Sequence, residues 1–541
     1  MSEALQTIGG IAAVAAAAVA ILSGDRRLRA VAMAAALAFA LSVVAGQAWD
    51  GQLAAVRESP LKLVALAAAA LLGIGALAVL GGRHPQLLPL GLLAMLPFRI
   101  PVEAGGESSN LLLPLYAVIA AGILLEFRRT AGAAGEDLPE GTRCGPARWL
   151  SLALAAAIGL YALQSAYSSD VERATQNIAF FFVPFALMFA LLRDAEWTPR
   201  VLRTALLLVL AEGVGFAAIG IAQHLSHHIF WNHKAMESNE FDLNFRVNSL
   251  FYDPNIYGRY LALTLVVGTT ALLWVQDAKR FLAGALALGV IFAGLALAFS
   301  QTSFVALLAG LVVLTALRWS LRWTVVAGAV LALAATVVVV FFSSGTIEIG
   351  GGSGNALDQT TSGRSRLASG GLKLARERPL AGFGSGSFAA EFEKRNPLTQ
   401  REAAVSHTEP VTIAAEQGAV GVAAYLALLA AALALLLSGL RSIAPGLSGL
   451  PVGNAPSPGS PAGKAEEPAV DVARIAATAA FAGLFAHTIG YAGFLTDPLT
   501  WALLAVAIGI TPSLQLGSHP LPPTPIAGDR LRTGGAWRRN R

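Results

Sequence analysis

Along most of the chain the apolar positions do not alternate with polar ones; they run on for about 18–22 residues at a time between short polar breaks. That pattern predicts membrane-spanning helices, because a helix satisfies its own backbone hydrogen bonds inside hydrocarbon. Such runs cover 7–23, 30–49, 61–82, 87–101, 111–127, 150–167, 178–192, 204–223, 256–276, 281–300, 303–317, 324–342, 419–437, 475–494 and 499–510. They make about fifteen candidate spans, the short fourth run being equally readable as a half-buried helix. The expected fold is an all-α polytopic membrane protein, with about 12–15 transmembrane helices and one large, partly helical extracytoplasmic loop. The expected parts are N-terminal membrane helices (1–82), a core transmembrane region (83–342), the loop (343–418), C-terminal membrane helices (419–514) and a basic tail (515–541).

Charge orients this array. Basic residues fall in alternate breaks: Arg26, Arg27 and Arg29; Arg128, Arg129, Arg143 and Arg148; Arg193, Arg200 and Arg203; Lys279 and Arg280; Arg318 and Arg322; then the tail from Arg530. Those breaks are expected on the cytoplasmic side. The first run has no basic residues before it and a basic cluster after it, so it reads as an N-out helix rather than a cleaved signal peptide. Composition agrees, with 541 residues, 55% hydrophobic, 13% charged and a mean hydropathy of +0.63. The net charge of +5 comes from the loop clusters, so nucleic-acid binding is not expected. Cys144 is the single cysteine and sits in a predicted cytoplasmic loop, which leaves no disulfide framework and no cysteine metal site. The Pro/Gly/Ala-rich stretch 442–473 lacks bulky apolar residues and is expected to be a disordered cytoplasmic linker.

Two polar segments then lie outside. In the first, Asp253 and Pro254 read as N-cap and N1 of the ninth helix, directly beneath Arg246 and Asn248. A guanidinium beside a helix N-terminus makes an anion site; the plainer alternative is an interfacial arginine on lipid headgroups with Asp-Pro as helix punctuation. Upstream, His224, His227 and His228 share a helical face, but no Asp or Glu stands at ligand spacing, so interfacial histidines are preferred over zinc.

The second segment begins with the Gly/Ser/Thr-rich stretch 343–361, expected to be flexible. From Arg364 the pattern predicts an amphipathic helix on the outer membrane surface, weakened by Gly370 and Gly371 and ended by Pro379. Gly382, Gly384 and Gly386 follow in GFGSGSF. The spacing is not that of a dinucleotide loop, since Ser387 stands where the third glycine belongs. A tight turn whose backbone approaches a neighbouring helix or a phosphate fits better. His407 stands about ten residues before an apolar run that opens with Glu416, Gly418 and Gly421. On residue type alone it is an exposed loop histidine; its place at the mouth of the bundle, beside arginines, makes it a candidate base.

Taken together, these residues resemble the O-antigen ligase and polymerase superfamily of bacterial membrane glycosyltransferases. The resemblance rests on Arg246 with Asp253-Pro254-Asn255, on Gly363-Arg364, on Pro379 with Gly382-Phe383-Gly384 and Phe388, and on His407 with Glu416, Gly418 and Gly421, in that order. It spans about residues 87–437, with Thr408 where that superfamily often has Asn or Ser, and with more N-terminal helices than its usual core. It implies transfer of a glycan from an undecaprenyl-diphosphate donor to lipid A–core or a growing glycan, on the outer face of the inner membrane, among membrane lipids. No cofactor, metal or nucleic acid is implied. By the same resemblance His407 is the general base and Arg246 and Arg364 grip the diphosphate. Arg99, at the outer end of the fourth run, is a third candidate cation, and Gly382, Gly384, Asp253, Asn255 and Glu416 shape the site. A transporter or flippase of polyprenyl-linked sugars is the alternative, but the chain shows no internal repeat and concentrates its polar groups outside the bilayer. Glu212 and His487, within apolar runs, are given no role beyond buried hydrogen bonding.

Overall fold

The computed structural model describes residues 2–48, 60–104, 107–132, 145–230, 236, 239, 245–319, 364–396, 406–443 and 467–511. Cys144, the run at 324–342, the stretch 343–361, residues 444–466 of the linker and the basic tail lie outside them. The apolar runs fold as helices: α1 (Glu3–Leu22), α2 (Arg26–Ala48), α3 (Pro60–Arg83), α4 (Leu87–Ala94), α5 (Leu113–Gly132), α6 (Pro146–Gln164), α7 (Val171–Arg193) and α8 (Pro199–Ser226). After the first outer segment come α9 (Pro254–Leu272), α10 (Ala278–Leu297) and α11 (Gln301–Arg318). The second outer segment contributes α12 (Arg364–Glu377) and α13 (Phe388–Arg395), and the chain closes with α14 (Glu409–Leu437), α15 (Glu467–Gly490) and α16 (Pro498–Gly509). Among the described residues, nine helices are long and apolar enough to cross a membrane. The protein is a multi-pass membrane protein.

The fourth run takes its half-buried option. α4 is only 8 residues long and the chain then turns into an antiparallel hairpin, β1 (Ile100–Ala104) and β2 (Glu107–Leu111), in the register Ile100↔Leu111 to Ala104↔Glu107. The hairpin is the one departure from the helical expectation among the described residues. Pro97, just past the end of α4, fits so early a stop. The linker is shorter than 442–473, because α15 already begins at Glu467.

Two packed cores form. One joins α1, α2, α5, α6, α7, α14 and α16 around α7, whose residues Val183 to Arg193 are all buried. The other joins α8, α9, α10, α11 and α15. Lipid gives helices no hydrophobic reason to associate, so close packing of small residues carries the contact. Ala13, Ala17 and Ala20 of α1 are fully covered, and where α11 crosses α15 a Cβ on Gly310 would lie 3.1 Å from the Ala479 carbonyl. Arg29, Arg129, Arg148 and Arg193, from predicted cytoplasmic breaks, gather at one end of the first core. There Arg29 pairs with Asp194 and, at 3.0 Å, with Glu126. Arg193 donates to Ile21 O at 2.6 Å and Arg148 to Leu22 O at 2.9 Å.

α12 does not simply lie on a membrane surface. Its apolar side packs on α13 and α14: Leu374 is buried, and the glycines expected to weaken the helix let neighbours in, Gly370 facing Phe392 and Gly371 facing Val411 and Phe388.

Candidate functional site

The geometry of the site begins with a break in α14. Gly418 has φ 64° and ψ −160°, which interrupts the helix about two and a half turns in and leaves carbonyls and N–H groups around the break without helical partners. The glycine turn supplies them. Phe383 N donates to Ala415 O (3.1 Å) and Gly384 N to Glu416 O (2.8 Å), while Ala419 N donates back to Pro379 O (2.8 Å). Gly382 (φ 68°) and Gly384 (φ 96°) are left-handed, and a Cβ on them would collide with the backbone of Glu416 and of Ser168 respectively. Of the two options for this turn, backbone against helix is the one realised. Glu416 completes the lock, its carboxylate accepting Gly386 N at 2.9 Å and Phe388 N at 3.2 Å and so serving the N-terminus of α13.

Beside this lock, at the seam of the two cores, lies a cavity of about 340 Å³. α6 and α7 form one wall with Tyr161, Arg173, Asn177 and Phe182, where α7 relaxes into a π-helical stretch, Ile178–Phe182. The opposite wall holds Tyr252, Ile256 and Arg259 of the first outer segment and α9, with Glu409 and Glu416 of α14 and the turn from Tyr491 to Asp497. Arg99 closes one side. Three guanidiniums therefore face one cavity, and Arg259 is the one most enclosed by protein.

Arg259 is about 1% exposed and each of its three nitrogens has a partner. Nη1 pairs with Asp497 and reaches Gly493 O (3.3 Å), Nη2 reaches Tyr491 O (3.4 Å), and Nε donates to His487 Nδ1 (3.1 Å). Since His487 accepts at Nδ1, its proton sits on Nε2, which faces the hydroxyls of Thr302 and Ser303, both at 3.3 Å. His487 is thus a buried hydrogen-bonding group, and the half-buried Glu212 accepts the Tyr260 hydroxyl at 2.5 Å.

The expected site residues separate into three groups. Arg99 and Glu416 line the cavity. Asp253 caps α9 through Asn255 N (2.6 Å), and Asn255 Oδ1 receives both Ser300 Oγ (2.8 Å) and Arg246 Nη2 (3.4 Å). Arg246 also donates from Nε to Ala298 O at 3.2 Å, so it stands behind the cavity wall rather than on it. Arg364 opens α12, its side chain lying outside the described residues. His407 is half-buried just before α14, its backbone left-handed at φ 62°, its ring 6.0 Å from that of Tyr491. A non-glycine residue held there signals local strain of the kind that clusters at functional sites.

Upstream, His227 is the left-handed C-cap of α8, and its ring stacks on His224 at 5.9 Å. Among the described residues no three His, Cys, Asp or Glu side chains group as a metal site. Sequence reasoning missed Arg259, Arg173, Glu409, Tyr491 and Asp497. Two of them carried a signal: Arg259 is a charge inside an apolar helix, and Asp497-Pro498 repeats the Asp-Pro cap of α9, with Asp497 accepting Leu499 N at 2.9 Å.

No curated protein matches the chain. Residues 286–426, which contain α12, α13, the glycine turn, His407, Glu416 and the break at Gly418, match the family model described as O-antigen ligase, so this part of the chain is similar to that family.

Proposed function

We propose that the protein transfers a glycan from an undecaprenyl-diphosphate donor to lipid A–core or to a growing lipid-linked glycan, at the outer face of the bacterial cytoplasmic membrane. The observation that carries this reading is the lock between the glycine turn and the broken start of α14. The lock lies within the part of the chain that matches the ligase family, beside a cavity edged by arginines, and His407, itself off the cavity lining, stands 6.0 Å from the ring of Tyr491, which lines it.

In this mechanism His407 takes the proton of the acceptor hydroxyl as the oxygen attacks the anomeric carbon. The bond from that carbon to the diphosphate oxygen breaks, and the polyprenyl diphosphate leaves with the electron pair. Direct attack inverts the anomeric centre. A diphosphate is already a good leaving group, so this reaction requires cations to hold it and a base, worth about 10²–10⁴ in rate, but neither metal nor nucleotide. Arg99, Arg246 and Arg364 are the cations assigned to the diphosphate, of which Arg99 lines the cavity. Asp253 and Asn255 hold the start of α9, while Glu416, Gly382 and Gly384 hold the turn.

Reconstitution with an undecaprenyl-diphosphate glycan and each candidate acceptor tests this. His407→Ala is expected to lose transfer by at least about 10²-fold, and Arg99→Ala, Arg246→Ala and Arg364→Ala to raise the donor concentration required. Full transfer by His407→Ala would sink the base, and unchanged donor affinity in all three arginine variants would sink the clamp. Transfer is expected to survive a chelator; loss that zinc restores would overturn the metal-free mechanism.

A further inference from the structure

We propose that Tyr491, in the turn between α15 and α16 and outside the segment that matches the ligase family, is a positioning residue for His407. The inference rests on the glycan-transfer reading, and it adds the turn before α16 to a site otherwise assigned to Arg99 and the two outer segments.

Four contacts converge on this residue. Its ring meets that of His407 at 6.0 Å and that of His487 at 5.7 Å, and the Arg259 guanidinium lies 5.4 Å from its centroid. Its hydroxyl hydrogen-bonds the Asp253 carboxylate, the cap of α9. Burial first, then the Asp253 charge, pushes the phenol above its ordinary range, so it remains a neutral donor to that carboxylate. Tyr491 thus meets both the histidine and the cap of α9, and it also lines the cavity.

The turn that carries Tyr491 is fixed from three directions. Glu409, two residues after His407, accepts N–H bonds from Gly493 (2.6 Å), Phe494 and Leu495. Arg259 holds the carbonyls of Tyr491 and Gly493 and pairs with Asp497. Asp497 in turn caps α16. The backbone on both sides of the His407–Tyr491 contact is therefore anchored, so the imidazole meets a fixed ring. A side chain held in a left-handed loop conformation needs such a support if its orientation is to be unique, since the loop backbone alone leaves χ1 and χ2 free.

The full-length protein in lipid nanodiscs, with histidines ¹³C-labelled, gives the test. The His407 ring resonance is assigned by its loss in His407→Gln. Tyr491→Ala is expected to move and broaden that resonance and to lower kcat by about 10²-fold, with a smaller change in donor KM. Tyr491→Phe keeps the ring, gives up the bond to Asp253, and is expected to restore both the resonance and most of kcat. An unmoved His407 signal or wild-type kcat in Tyr491→Ala overturns the proposal, and so does a loss in Tyr491→Phe equal to that in Tyr491→Ala. Absence of transfer by the wild type to every acceptor would instead defeat the glycan-transfer reading, unimpaired transfer by His407→Ala would defeat only the base assignment, and in either case the resonance would still report whether Tyr491 orients the ring.

Discussion

At Gly418 the chain abandons helical geometry about two and a half turns into α14, and at Gly382 it adopts the left-handed conformation that brings its backbone against Glu416 O. Each glycine answers the other, since Gly418 would strike the backbone of Leu380 and Ala381 if it carried a Cβ. The penalty for Ala at either position combines left-handed strain with a backbone collision, and side-chain repacking cannot relieve the latter. Gly382→Ala and Gly418→Ala are each expected to lower stability by at least about 1–3 kcal/mol. Thermal unfolding in detergent would read this. Gly289 in α10 has open space where its Cβ would go, so Gly289→Ala is the control and is expected to hold or raise stability by up to about 1 kcal/mol. His407 shows the limit of such reasoning from sequence: its type and its place at the bundle mouth marked it, but its left-handed backbone and the ring beside it come from tertiary structure.

α12 and α13 are tied to each other by charge. Arg395 reaches Glu377 at 2.5 Å and Glu391 at 2.6 Å, Lys394 reaches Glu391 at 2.7 Å, and the Arg378 and Arg395 guanidiniums lie over the Phe383 ring at 4.7 and 4.9 Å. Burial by itself would raise the Glu391 carboxyl, but hydrogen bonds from Lys394, Arg395 and Ser169 outweigh it and hold the group at about 2. The folded state thus binds this proton more weakly than the unfolded state. Its stabilising contribution is complete above the ordinary carboxylate range near 4.5 and fades as pH falls toward about 2. Amide exchange in α12 and α13 is therefore expected to quicken through that window in the wild type, and Glu391→Gln is expected to flatten the dependence. An unchanged pH profile in the variant would refute the tie. Helix positions were legible because hydrocarbon imposes run length; less so were places where polar residues fold with the helix. α14 begins at Glu409, ten residues before its apolar run, and the glycine turn satisfies the end of this polar opening, which the apolar pattern does not show.

At the scale of the whole molecule, the two cores meet around a buried ion pair. Arg259 belongs to α9 and Asp497 to the start of α16, 238 positions apart, and their side chains are 2% and 5% exposed. No local pattern links residues so distant, which is why the sequence marked Asp253-Pro254 and Arg246 but not the pair that joins their helix to the C-terminal turn. Because both charges are desolvated, the pair itself adds little net stability, whereas leaving one member alone is costly. Arg259→Met or Asp497→Leu alone is expected to destabilise by about 3–5 kcal/mol, while the two combined should recover much of that loss. The double variant would still lack the guanidinium that holds the Tyr491 and Gly493 carbonyls, so transfer should stay low where stability returns. Chemical unfolding and transfer assays on the four-member cycle separate the two effects. Recovery of both together would mean that the pair serves only to hold the cores in contact, and recovery of stability alone would assign it to the placement of the turn beside His407.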